Sequence, residues 1–469
     1  MDKQTYVKLL LIHVGIGILL YLFRPLSFVF AHGTILLGLV WVFRNRNANH
    51  EALMVAAYIV GSELLVKMTK GYFLWEYAKY GIILVMLLGI YYKGFSRSAI
   101  AIWIFGILLL PGIFIGMIES GSDPRMRQSI IFNILGPVTL LVISIYCYMR
   151  NLSINQLMNV LLVLGLPIVS CLVYSILYTP DLKEILVHTG SNFGTSGGYG
   201  PNQVATFFGL GMFIFFVRAI FASTTTWLVL LNLGIAFLFA YRALLTFSRG
   251  GLITGILMVL FFLFFTFTKG SSKVKLKISF LVSILVMGML AVWIYTTMLT
   301  GGLIEKRYKN QDALGREKQS VFSGRERIAI SEIQMFLENP VFGSGVGSGY
   351  KYRQEHFDVS IASHNELTRM LGEHGLLGIL GILILILTPL VLYLDNKQHF
   401  FLLSFLLFWF LTLNHTAMRV AAPAFIYALT LLKINIHEIP IVYWKQALQT
   451  KQQSLNDRNV EPATATGGV

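Results

Sequence analysis

Long apolar blocks separated by short polar punctuation give this chain its first legible pattern. A membrane-crossing helix needs about 20 mostly apolar residues, and on that measure about 14 runs qualify. They lie at 7–23, 26–43, 52–66, 78–92, 99–117, 129–148, 155–178, 203–221, 225–246, 250–268, 277–298, 376–394, 399–414 and 419–434. Several are short or interrupted, which sets the lower count at about 12. The rhythm fails from Gly301 to Gly375, a polar stretch with two helix-start patterns, Ser323-Gly324-Arg325-Glu326 and Ser363-His364-Asn365-Glu366. Serine followed three residues later by glutamate reads as a capping box. Apolar faces follow at helical spacing, Ala329, Ile333, Phe336 and Leu337 in the first, Leu367, Met370 and Leu371 in the second. Asn339-Pro340 ends the first helix. Gly343, Gly345, Gly347 and Gly349 then alternate, as a flexible turn or as a backbone that approaches a ligand closely. No strand-helix-strand unit surrounds them, so they are no dinucleotide fingerprint.

Composition turns these runs into a fold class. Hydrophobic residues make up 56% and charged residues only 13%, with a mean hydropathy of +0.70, which excludes a soluble globular chain. We expect an all-α polytopic membrane protein of about 12–14 transmembrane helices with a large helical loop between late spans. The net charge of +15 would suggest nucleic acid in a soluble chain. Here the basic residues cluster between apolar runs, as cytoplasmic loop charges do. Arg44 and Arg46, Lys93 and Arg97, Arg150, and Lys269, Lys273, Lys275 and Lys277 all follow even-numbered runs. That parity puts both termini inside and the 301–375 segment outside, with the ends at 200–203, 248–251 and 414–419 beside it. Lys67 and Lys70 are the exception, since they would lie outside. Lys3 and Lys8 precede the first run without a convincing cleavage site, so it reads as a retained span. Cys147 and Cys171 sit inside apolar runs and support neither a disulfide nor a metal site. The expected layout is an N-terminal bundle at 1–190, a membrane core at 191–435 with its outer loop at 299–375, and a disordered cytoplasmic tail at 436–469.

Candidate chemistry gathers on the outer side. In the second capping box His364 falls in the first helical turn, where the dipole disfavours imidazolium and leaves a neutral ring able to accept a proton. A general base for a sugar hydroxyl needs such a ring; a surface histidine with a capping role is the plainer alternative, and His356 and His374 are nearby competitors. Arg249, in Phe247-Ser248-Arg249-Gly250-Gly251, opens a span, and a helix start with an arginine is an anion site or a snorkelling interfacial residue. Arg242 lies near the outer end of the preceding run, where an unpaired charge is costly. With Arg325 at the first outer helix, three arginines on one face suggest a diphosphate site. Asn202, in Gly200-Pro201-Asn202-Gln203, could bond a sugar or phosphate or cap its helix. His415 and Arg419 at the last outer hairpin could line the same cavity. Glu63 and Arg218 are intramembrane charges without an assigned role. The scattered acids Asp312, Glu317, Glu355 and Asp358 form no metal-ligand spacing, so no metal or cofactor is expected.

Taken together, Phe247–Gly251, Ser323–Arg325 with Asn339–Gly345, Ser363–Gly375 and Gly200–Gln203 resemble the O-antigen ligase and polymerase superfamily, over about 190–395. The resemblance implies a metal-independent glycosyltransferase of the bacterial inner membrane, with a GT-C-like fold and a periplasmic active site. Its donor would be an undecaprenyl-diphosphate-linked glycan, with lipid A-core as acceptor in a ligase and a lipid-linked glycan in a polymerase. The family's histidine matches His364 as the base that activates the acceptor hydroxyl. Its arginines match Arg249 and Arg325 as ligands of the donor diphosphate. Asn202, Arg242, Asn365, His415 and Arg419 are further candidate substrate contacts. A lipid-linked glycan flippase is the rival of another class; it predicts matched broken helices near mid-membrane, whereas the polar groups gather at one face.

Overall fold

The computed structural model describes residues 2–179, 185–269, 272–318, 325–357, 363, 365–415 and 418–435. Among these residues the regular structure is helical apart from one short parallel pairing and an isolated bridge between Gln311 and Glu317. The runs become α1 (Lys3–Leu22), α2 (Leu26–Asn45), α3 (Glu51–Thr69), α4 (Tyr77–Lys93), α5 (Ile100–Ser120), α6 (Pro124–Cys147), α7 (Ile154–Tyr178), α8 (Pro201–Phe221), α9 (Thr226–Leu245), α10 (Arg249–Lys269) and α11 (Ser272–Leu299). The polar stretch supplies α12 (Leu303–Tyr308), α13 (Arg325–Glu338) and α14 (Ser348–Phe357). The chain closes with α15 (Glu366–Asp395), α16 (Leu402–Leu413) and α17 (Ala422–Leu429). Eleven of these helices are long and apolar enough to cross a membrane.

The last two runs are shorter than their hydropathy suggests. α16 has 12 residues and α17 has 8. Non-helical backbone is tolerated at such depth only where protein satisfies its polar groups, and here it does. Asn396 donates to the Leu432 carbonyl at 3.2 Å, and His399 bonds the Leu429 carbonyl at 2.9 Å. Beyond α17, β2 (Lys433–Asn435) pairs in parallel with β1 (Asn151–Ser153). That pairing fixes the ends after the sixth and fourteenth runs at one end of the bundle, as charge parity requires.

α3, α7 and α8 are buried along nearly their whole length, while α1, α2, α5 and α11 keep large apolar side chains exposed on their outer faces. One apolar core joins α1, α3, α7, α8 and α9; a smaller one joins α5, α6, α15, α16 and α17. Where α8 crosses α10 the backbones touch. A methyl on Gly251 would run into the Ala205 carbonyl, and one on Gly255 would lie 2.6 Å from the Gly209 oxygen. Small residues four apart allow this approach, so the glycines of Phe247–Gly251 have a packing reason.

Of the two basic residues that broke the parity pattern, Lys67 has a physical explanation. Lys67 is fully buried, 2.9 Å from the Glu63 carboxylate, and donates to the Arg419 carbonyl at 3.3 Å. Glu63 also accepts the Ala421 amide at 2.7 Å. A lysine neutralised inside protein does not act as a loop charge facing the membrane surface. Glu76 continues the network, 2.8 Å from buried Lys79. Removing one partner of such a pair strands the other, at a cost of about 3–5 kcal/mol. Lys67→Met should therefore lower the unfolding temperature in detergent more than Glu63→Leu/Lys67→Met does; a double variant at least as unstable as the single would show the pair is not the source.

Candidate active site at the loop-bearing end

Two clusters form at the end of the bundle that carries the polar stretch. The first centres on the α9–α10 turn. Phe247 adopts φ +58, left-handed for a residue with a side chain, a conformation that tertiary contacts must hold. Ser248 donates to Asn202 Oδ1 at 2.8 Å, joining this turn to the start of α8. His415 packs against Gly250, where a Cβ would meet its ring at 2.9 Å, and hydrogen-bonds Thr206 at 3.1 Å. Asn202, Arg249 and His415, far apart in sequence, thus come to one place.

Arg242 is not among them. Its guanidinium is buried and donates to the carbonyls of Ser175 (2.7 Å) and Thr195 (3.0 Å) and to the Thr179 hydroxyl (3.3 Å). It ties the end of α7 to the 3-10 turn at Gly194–Ser196, which explains how an arginine near a span end is accommodated. Arg218 is likewise buried, with its guanidinium 4.6 Å from the Tyr6 ring centre.

The second cluster surrounds the start of α15. Arg369 pairs with Glu366 and, at 2.6 Å, with Glu373. Glu373 in turn accepts from Asn133 of α6 at 2.6 Å and from the Gly347 amide at 3.0 Å. Nearby, Arg353 of α14 meets Glu332 of α13 at 3.3 Å, and Thr368 donates to the same carboxylate at 2.5 Å. Burial pushes the Glu332 carboxyl above its usual range, with Thr368, Ser363 and Arg353 pulling it back. A cavity of about 50 Å³ between these helices, lined by Phe132, Asn133, Glu332, Arg353, Ser363 and Arg369, has room for a few waters.

This network corrects two expectations. The glycine alternation is neither a loose turn nor a ligand cradle; it packs on backbone. Gly343, Gly345 and Gly347 all have positive φ, a conformation only glycine adopts readily. The amides of Ser344, Gly345 and Val346 bond the carbonyls of Gly372 (2.9 Å), Glu373 (3.1 Å) and Gly112 (2.9 Å). The second capping box is also displaced. The N-cap of α15 is Asn365, whose side chain accepts from the Leu367 amide at 2.9 Å, and the helix begins at Glu366. The first turn of α15 therefore starts at Glu366, one residue after its cap, and not at the serine-led box the sequence suggests. The Ser363 hydroxyl bonds the Asn365 backbone instead, donating to its carbonyl and accepting from its amide. α15 also begins ten residues earlier than its apolar run and breaks at Gly375 (φ 60).

His364 lies outside the described residues, as do Ser323, Gly324 and Asp358. Arg325 opens α13, with its side chain outside them too. Arg419 donates to the Ser363 carbonyl and holds its guanidinium 5.9 Å from the Phe132 ring centre. It thereby joins the last hairpin to the Ser363–Glu366 segment. His374 is buried against Gly112, and His356 is an exposed ring stacked on Tyr352. Among the described residues no group of three His, Cys, Asp or Glu side chains could hold a metal ion.

Residues 234–383 match the family described as O-Antigen ligase. The match bears out the resemblance carried by the motifs and supports a membrane glycosyltransferase of the O-antigen ligase/polymerase type. No curated protein matches the chain. The matched segment includes Arg249, Arg325, Glu332, Arg353, Glu366, Arg369 and Glu373, while their partners Asn133 and Gly112 lie before it. Asn202, His415 and Arg419 fall beyond it and are brought to it by packing.

Glu366 reads from the sequence only as a capping residue, and Arg369 and Glu373 carry no assigned role there, although their spacing of three and four residues signals a helical charge cluster. Glu332–Arg353 and the Arg307–Phe247 contact, in which Arg307 Nε donates to the Phe247 carbonyl at 3.0 Å, left no local signal. Glu373→Leu leaves Arg369 paired with Glu366 but removes the acceptor of the Gly347 amide and of Asn133, so it should cost about 1–3 kcal/mol and should open the 343–347 turn. Limited proteolysis reads the turn directly. An unchanged cleavage pattern would show that the Gly372, Glu373 and Gly112 carbonyls hold it alone.

Proposed function

We propose that this protein transfers an undecaprenyl-diphosphate-linked glycan to an acceptor hydroxyl at the periplasmic face of the inner membrane, as an O-antigen ligase acting on lipid A-core. The observation that carries this reading is the O-antigen ligase match over 234–383. The convergence of Asn202 and His415 on the turn beside Arg249 adds support. In this reading both termini are cytoplasmic, and no metal takes part.

The chemistry follows from the residue types. His364 takes the proton from the acceptor hydroxyl as its oxygen bonds the anomeric carbon. The bond from that carbon to the diphosphate oxygen breaks, and the lipid diphosphate leaves with both electrons. Arg249 and Arg325 stabilise the charge that develops on it; oriented cations in a partly dehydrated site do this far better than water. In-line displacement inverts the anomeric centre. Asn365 caps α15 immediately after His364 and fixes where the chain enters the helix.

A general base contributes about 10²–10⁴-fold. Purified protein with a lipid-diphosphate glycan and lipid A-core should lose turnover by that order in His364→Ala while still binding donor. Unchanged turnover would remove His364 as the base. Loss of donor binding along with turnover would give it a different role.

The polymerase reading shares donor, base and face, and differs only in acceptor. In a deletion strain the ligase reading expects long glycan chains left unattached to lipid A-core. Single attached repeats would transfer the assignment to a polymerase.

A further inference from the structure

Glu63 and Lys67 do more than neutralise one another inside α3. The Glu63 carboxylate gives one oxygen to each partner. Its Oε1 lies 2.9 Å from the Lys67 ammonium, and its Oε2 accepts the Ala421 amide at 2.7 Å. Lys67 in turn donates to the Arg419 carbonyl at 3.3 Å. The pair therefore grips main chain at two points, on either side of buried Val420.

Arg419 carries that grip outward. Its guanidinium donates to the Ser363 carbonyl and lies 5.9 Å from the Phe132 ring centre. The Lys79 ammonium meets the same ring at 6.0 Å and pairs with Glu76, which stands 3.9 Å from Lys67. Phe132 and Ser363 line one cavity. In the sequence, Ser363 and Asn365 are the neighbours of His364. Arg419 holds Ser363, and the cap on the Leu367 amide holds Asn365. A continuous series of contacts thus runs from α3 to the residue before His364.

Stability alone does not account for the pair. Replacing a buried ion pair by apolar residues of similar volume is often neutral or stabilising, and ionisable residues within spans are costly and mark function. Leucine and methionine would pack in α3, but they would supply neither an acceptor for the Ala421 amide nor a donor for the Arg419 carbonyl. We propose that Glu63 and Lys67 are positioning residues for the base, setting the chain that enters α15 through the 419–421 backbone and the Arg419 guanidinium. The inference rests on the reading of His364 as the base. Neither residue touches substrate; each acts on the reaction only by placing the 363–365 segment. A displacement of about 1 Å far from the reacting atoms can cost on the order of 10²-fold in rate. Both residues lie before the matched segment 234–383, so the bundle outside that segment supplies part of the support for its chemistry.

The test is a double-mutant cycle on the full chain in nanodiscs, with a lipid-diphosphate glycan as donor and lipid A-core or a lipid-linked glycan as acceptor. Glu63→Leu/Lys67→Met removes both grips without stranding a charge. It should lower kcat by roughly tenfold to a hundredfold and leave the donor KM within about twofold. In the His364→Ala background the same two changes should lower kcat by less than about twofold, because residues that act as a unit are non-additive. A merely loosened fold would lower both backgrounds alike. Glu63→Gln/Lys67→Gln keeps an acceptor and a donor, so it should recover part of the kcat. Should Glu63→Leu/Lys67→Met fail to fold, Arg419→Gln breaks the link to Ser363 with the pair in place and carries the same expectations. Wild-type kcat in the folded variant, an equal loss in both backgrounds, no recovery with the glutamines, or a loss confined to KM overturns this inference and leaves the donor reading intact. Undiminished kcat in His364→Ala overturns the base and this inference together. Absence of turnover by wild type with either acceptor overturns the proposed function as well.

Discussion

Arg369, buried between Glu366 and Glu373, is the contact on which the loop-bearing end depends. A buried guanidinium is tolerable only with acceptors at hand, and here two carboxylates are supplied from the same helix, one turn on either side. Having neutralised Arg369, Glu373 has oxygen lone pairs to spare, and it spends them on Asn133 of α6 and the amide of Gly347. One side chain thus joins the start of α15, a span of the bundle and the glycine turn that follows α13. The position of the Ser363–Asn365 segment is set from the C-terminal side by this network and from the other side by Arg419 at the last hairpin.

The same rule extends across that end of the molecule. Lys67 is neutralised by Glu63, and the Glu63 carboxylate also holds the start of α17 through the Ala421 amide. Arg242 meets carbonyls from α7 and the 3-10 turn. Each buried charge therefore acts as a fastener between elements, because desolvating it without partners would cost more than the fold gains from apolar burial. Short α16 and α17 fit this scheme. Their ends are fixed by Asn396, His399 and the Glu63 carboxylate rather than by helix length. His415 then reaches one cluster and Arg419 the other.

How much of this was legible follows from the range of the forces. Spans are written in composition over some twenty residues, so every apolar run reappears as a helix, and charge parity correctly grouped their ends. Ser248, Asn202 and Arg249 were flagged because helix starts have local signatures. What escaped was decided by contacts between residues far apart. Ser363 and Asn365 are both good caps, and only packing chose Asn365. The alternating glycines look the same in sequence whether they flex or, as here, press against the backbones of α5 and α15. Arg242 looked like a substrate ligand because its partners, the Ser175 and Thr195 carbonyls, belong to the main chain, which leaves no trace in residue identity. Lys67 looked like a misplaced loop charge because its neutralising carboxylate, four residues earlier, was read as part of the span.

The contrast between the two clusters carries the last step. Around α15, cations and carboxylates come in matched sets, Glu366–Arg369–Glu373 and Glu332–Arg353, and their geometry is that of a scaffold. Around the α9–α10 turn Arg307 and Ser248 reach main chain and amide: Arg307 donates to the Phe247 carbonyl, and Ser248 donates to Asn202 Oδ1. They hold a left-handed Phe247 at the start of a helix inside the segment that the family match covers. A carbonyl that accepts from a guanidinium fixes backbone as firmly as a carboxylate fixes a side chain, because each partner is costly to leave unmet once buried. The α15 cluster and the α9–α10 turn are thus two uses of one constraint: the first joins helices through ion pairs, and the second fixes a strained turn through its own main chain.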